Sequence, residues 1–158
     1  MNTKMITRGA VVAALYAILT LTLPAYGPLQ FRLSEIMTLL AYFDPFYVIP
    51  LTIGCALANL ASPFGVVDVI CGSLASFLAL KSMSKTKNIY LASIYPSLFS
   101  FIIGLEIMFL STEPVNFFLV TGQIMISEFV VVTIIGIPVI KYIMKNQYIE
   151  RLIQPLHM

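Results

Sequence analysis

No G-x-x-x-x-G-K-[ST] phosphate loop occurs anywhere in the 158 residues, so an ATP-driven cycle would need its motor on another polypeptide. Histidine is nearly absent. His157, in the terminal tail, is the single one, and neither a Ser-His-Asp triad nor a His-based metal site can be assembled from it. Cysteine is limited to Cys55 and Cys71. Both lie in apolar stretches without a His or Cys at ligand spacing, and they read as small buried hydrophobes, not as a disulfide or metal pair. Charge is scarce, at 10% of residues, and no block has the composition of a soluble domain. The basic residues flank apolar runs without forming a groove, which argues against a nucleic-acid surface. No catalytic residue, metal or cofactor is expected.

What remains is apolar: 59% of residues are hydrophobic and the mean hydropathy is +0.97. The expected fold class is all-α and integral to the membrane, one domain over residues 1–158 with six helices and a short second one. Hydropathy and punctuation place the helices near 6 to 24, 33 to 43, 45 to 61, 65 to 82, 89 to 111 and 115 to 145. Asp44-Pro45 has the form of an N-cap followed by proline at the first helical position, and Ser62-Pro63 repeats it before the fourth span. The basic start and apolar run that ends near Ala25-Tyr26-Gly27 also resemble a signal peptide. More membrane segments follow at once, which favours a retained first span. Eight of the nine basic residues, Lys4, Arg8, Lys81, Lys85, Lys87, Lys141, Lys145 and Arg151, fall on one side of this layout. By the positive-inside rule that side is the cytoplasm, with both termini there and the chain multi-pass in the cell membrane.

Arg32 is the exception. It stands before Ser34 to Phe43, ten residues or about 15 Å of helix, against a hydrocarbon core of roughly 30 Å. The loop ahead of so short a helix must dip into the membrane, which is tolerated only where the backbone lines a protein-enclosed or watery cavity. Arg32 therefore either serves that cavity or snorkels to headgroups.

Three of the seven acids have simple explanations: Asp44 as a cap, Glu113 in a loop, Glu150 in the tail. Glu35, Asp68, Glu106 and Glu128 remain, and a six-helix layout lets all four converge on one outward-facing chamber. Four carboxylates against one guanidinium favour a donor-rich or cationic ligand and disfavour an anion. Burial could instead keep Glu106 or Glu128 protonated as helix glue. The amides Gln30, Asn59 and Gln123 offer a donor and an acceptor to a heterocycle's edge, although Asn59 could equally close the third helix. Tyr26, Phe31 and Phe64 could stack on a planar ligand or belong to the interface belt. On the first helix Ala10, Ala13, Ala14 and Ala17 make a stripe of small side chains suited to close helix packing, within the chain or against a partner.

The stretch Gln30-Phe31-Arg32-Leu33-Ser34-Glu35, continued by Thr38-Leu39-Leu40 and Phe43, then Gly54-Cys55, Asn59-Leu60 and Ser62-Pro63-x-Gly65-x-x-Asp68, resembles the QueT family of queuosine-precursor transporters across nearly the whole chain. The Ala10-x-x-x-Ala14 pair is similar to the small-residue motif by which energy-coupling factor S-components bind their transmembrane partner. The resemblance implies a substrate-capturing S-component that docks on a T-component and two ATPase subunits. It implies a 7-deazaguanine substrate, whether 7-cyano-7-deazaguanine, 7-aminomethyl-7-deazaguanine or queuine. Two alternatives stay open: an S-component for another vitamin-like substrate such as thiamine or riboflavin, and a self-sufficient ion-coupled carrier with Glu106 or Glu128 as its proton site.

Overall fold

The computed structural model describes residues 3–22, 31–62, 64–147 and Ile153. Among them the chain forms six helical segments and no strand: α1 (Thr3–Thr22), α2 (Leu33–Phe43), α3 (Pro45–Asn59), α4 (Val66–Met83), α5 (Ile89–Leu110) and α6 (Phe117–Ile143). Four of these are long and apolar enough to cross a bilayer, while α2 and α3 are shorter. Exposed side chains on the long helices are largely Ile, Leu, Val and Phe: Ile6, Val11, Leu15, Ile18 and Leu21 on α1, and Ile70 and Leu74 on α4. That outer surface suits lipid, so the molecule is a helical membrane bundle.

The hydrogen bonds fix how the helices run. Arg8 near the start of α1 reaches Tyr47 at the start of α3, and Thr20 near the end of α1 bonds Ser34 at the start of α2, 2.7 Å apart. Lys141 late in α6 meets Tyr90 early in α5 at 3.0 Å. We call proximal the end that holds Arg8, Asp44, Lys87 and Lys141, and distal the opposite end, with Arg32, Ser62, Asp68 and Leu110.

The short helix departs from a simple α-helical reading. Leu33–Leu39 is a 3-10 helix and only Leu40–Phe43 is α. A 3-10 helix rises about 2.0 Å per residue, so the segment reaches about 20 Å, still well short of the ~30 Å hydrocarbon core. Asp44 caps α3 as expected, accepting from the Phe46 amide at 2.9 Å, with Pro45 following. Ser62 does not cap α4. That helix starts after Gly65, whose φ of 61° is a left-handed conformation that a side chain would strain, and the Ser62 hydroxyl donates instead to the Asp68 carboxylate.

Lipid removes the hydrophobic drive between helices, leaving close packing and hydrogen bonds to hold the bundle. At the α1–α3 seam a Cβ on Gly54 would stand 2.7 Å from the Ala13 carbonyl oxygen and 3.1 Å from Tyr16 Cβ. Only glycine allows that approach. Between α5 and α6, Ser97 donates to the Met125 carbonyl at 2.7 Å and Thr133 to Ser93 Oγ at 3.0 Å. Beyond Glu128 the sixth helix widens to π geometry over Phe129–Gly136 before Pro138. Proline lacks an N–H and crowds the carbonyl four residues back, which favours a wider turn ahead of it.

Candidate functional site

Tyr16 is 1% exposed, and its phenol donates to Glu35 Oε1. The Thr20–Ser34 bond lies one turn farther along α1, so two polar ties pin α2 to α1. Thr38 closes on the Glu35 carbonyl at 2.5 Å. Glu35, itself buried, is thereby held in place by groups on both helices.

Arg32, just before α2, shares a cavity of about 50 Å³ with Glu35 and Thr38 of α2, Cys55 of α3, Ser76 of α4, Ser100 of α5 and Glu128 of α6. At ~10–15 Å³ for each water the space holds several polar-bound molecules of that size. The acidic groups acting on Arg32 include Glu35 and Glu128. A guanidinium that shares a cavity with two carboxylates gives a site offering both a fixed donor fork and acceptors. Glu128 Oε2 is buried with no hydrogen-bond partner. Small residues of α4, namely Gly72, Ala75 and Ala79, also line the cavity.

The remaining candidate residues separate. Asn59 does not line the cavity: it is 4% exposed, and its amide donates to the Asp68 carbonyl at 3.2 Å, bridging α3 to α4 over Gly72. Asp68 and Glu106 stand side by side, distal to the cavity, and apart from that neighbouring carboxyl both buried oxygens of Glu106 lack a hydrogen-bond partner. Gln123 likewise has a buried Oε1 with no partner, away from the cavity wall. Phe31 and Phe64 are partly exposed at the distal end, at 43% and 37%. Gln30 and Tyr26 lie outside the described residues. The alanine stripe divides: Ala13 and Ala17 are buried, Ala13 directly against α3, whereas Ala10 and Ala14 face outward. Cys55 is buried as expected, and Cys71 is only partly so.

Tyr16, Thr38, Ser76 and Ser100 were missed by sequence reasoning. A lone Tyr or Ser in an apolar run carries no sign of its direction. The spacing from Glu35 to Thr38, three residues on one short helix, was the available hint. Among the described residues no group of three or more His, Cys, Asp or Glu side chains could hold a metal ion.

A polar cavity walled by five helical elements inside a lipid-facing bundle suits capture of a small polar solute. The QueT transporter family model matches residues 6–145. The chain belongs to that family. It is 37% identical over 139 residues to the queuosine precursor transporter QueT of Lactococcus lactis subsp. cremoris (strain MG1363), a match covering 76% of this chain and 80% of the relative. No solved structure matches. Membership makes the chain a transporter, not an enzyme, and the cavity its candidate solute site.

Proposed function

We propose that this chain, acting as one domain over residues 1–158, captures queuosine precursors for import as the S-component of an energy-coupling factor transporter. The observation that carries the reading is the cavity that Arg32 shares with Glu35 and Glu128, in a chain 37% identical to a queuosine precursor transporter. A guanine-like base presents N1–H and amino donors to a carboxylate and O6 to a guanidinium, so one such base can use both sides of the site. Gln30, Phe31 and Gln123 are further candidates for contact with the substrate. Asn59 serves the α3–α4 seam.

Energy would come from partners, a T-component and two ATPase subunits, because the chain has no phosphate loop of its own. The outward-facing Ala10 and Ala14 support a docking face on α1, while Ala13 and Ala17 pack inside. The basic residues at the proximal end support a cytoplasmic placement of that end and of both termini.

Vesicles carrying only this chain, compared with vesicles that also carry the energising subunits and internal ATP, test the coupling. Uptake only with the partners and ATP supports the S-component. Accumulation by the chain alone under a proton gradient overturns it in favour of an ion-coupled carrier. Ala14→Trp should block co-purification with the T-component by steric exclusion while the isolated subunit still binds ligand. Normal assembly of that variant would place docking elsewhere.

A further inference from the structure

We infer that the site selects an amine-bearing 7-deazaguanine, with Glu106 of α5, beside Asp68 of α4, receiving the ammonium group. The inference rests on the deazaguanine reading and names the substituent that this reading leaves open.

Position comes first. On α4 the cavity-lining residues Gly72, Ala75, Ser76 and Ala79 make one stripe, and Asp68 precedes Gly72 by four residues on the same face. On α5 Pro96, Ser100 and Ile103 line the cavity, and Glu106 follows Ile103 by three. Both acids therefore continue the cavity walls by one helical turn, about 5.4 Å toward the distal end. A base seated among Arg32, Glu35 and Glu128 with its 7-substituent toward the distal end would bring that substituent to them.

Hydrogen-bond capacity then selects the substituent. One Glu35 oxygen takes the Tyr16 phenol, and one Asp68 oxygen takes the Ser62 hydroxyl. Glu106 is 5% exposed, and apart from the neighbouring Asp68 carboxyl neither of its oxygens has a hydrogen-bond partner. Buried acceptors without donors are uncommon in folded proteins because each loses its water without replacement. An ammonium brings three N–H donors and a positive charge to this pair. A nitrile brings an acceptor only, and would set acceptor against acceptor. A bare ring carbon brings neither.

Calorimetric titration of the isolated subunit with 7-aminomethyl-7-deazaguanine, 7-deazaguanine and 7-cyano-7-deazaguanine should rank them in that order, the first at least tenfold tighter than the second. Glu106→Gln should shrink the ratio between the first two severalfold or more, and Asp68→Asn should shrink it by less. Equal affinity for the aminomethyl and cyano ligands in the parent would overturn the inference, and that reading requires no variant to fold. A ratio preserved in folded Glu106→Gln would also overturn it. Failure of all three ligands to bind would remove the deazaguanine reading itself, and the inference with it. Binding of the three with equal strength removes only the inference.

Discussion

The two ends of the bundle each hold an arginine, and the groups around them differ in kind. At the proximal end Arg8 donates to the Tyr47 hydroxyl, through Nε at 2.7 Å, and to the Ile153 carbonyl at 2.6 Å. It lies 3.9 Å from Asp44 and over the rings of Phe46 and Tyr47. Asp44 meanwhile caps α3. Every polar group in that cluster has a protein partner, and the cluster ties α1 and α3 to each other and to Ile153. The distal half is built differently: around Arg32 the carboxylates outnumber the cation, and oxygens of Glu106 and Glu128 are buried without donors. A satisfied network holds a fold, whereas a network short of donors is completed by something that brings them.

That contrast can be broken most severely where both halves depend on one seam. Gly54→Leu would drive a side chain into the Ala13 carbonyl, and since backbone cannot yield as a rotamer does, it should cost about 3 kcal/mol or more and abolish a monodisperse subunit on size exclusion. A well-folded variant would show that the α1–α3 approach is softer than its geometry. Arg8→Ala should then lower unfolding stability by about 1.5–3 kcal/mol, the worth of charge-assisted hydrogen bonds, with ligand affinity unchanged in the folded fraction.

Arg32→Ala and Glu35→Gln should do the reverse, losing tenfold or more in deazaguanine affinity by calorimetry with a smaller change in melting temperature. If Arg32→Ala proved as destabilising as Arg8→Ala and left affinity intact, the two ends would be alike and the distal site would be structural. Tyr16→Phe sharpens the comparison further. It removes only the donor to Glu35, so affinity should fall about three- to tenfold while the packing of the ring persists. The smallest effect belongs to Asn59→Ala, about 1 kcal/mol in stability from the lost α3–α4 bridge and little in affinity. A large affinity loss there would return Asn59 to the site.

Much of this architecture was legible in the chain because it depends on local rules. The six helices follow from runs of apolar residues, and their ends from Asp44-Pro45 and from loops the helices cannot enter. Ser62 misled because a Ser before Pro has the chemistry of a cap, yet the side chain of Asp68 offered its hydroxyl a charged acceptor. Arg32, Glu35 and Glu128 could be marked from sequence since an ionised group at membrane depth needs a reason. Tyr16 could not, because its role depends on which way one face of α1 points.

Composition, apolar run length and the placement of nine basic and seven acidic residues determined a helical membrane bundle with charge held in its interior. Those features act through partitioning into lipid, which each segment obeys on its own. Only the tertiary structure decided which charges meet: that Glu35 is held by Tyr16, that Asn59 serves a seam, that the alanine stripe splits between an inner and an outer face, and that Glu106 keeps two oxygens without donors. Hydrogen bonds act over about 3 Å, and helix rotation and crossing at close-packed seams, not sequence distance, set which groups come that near.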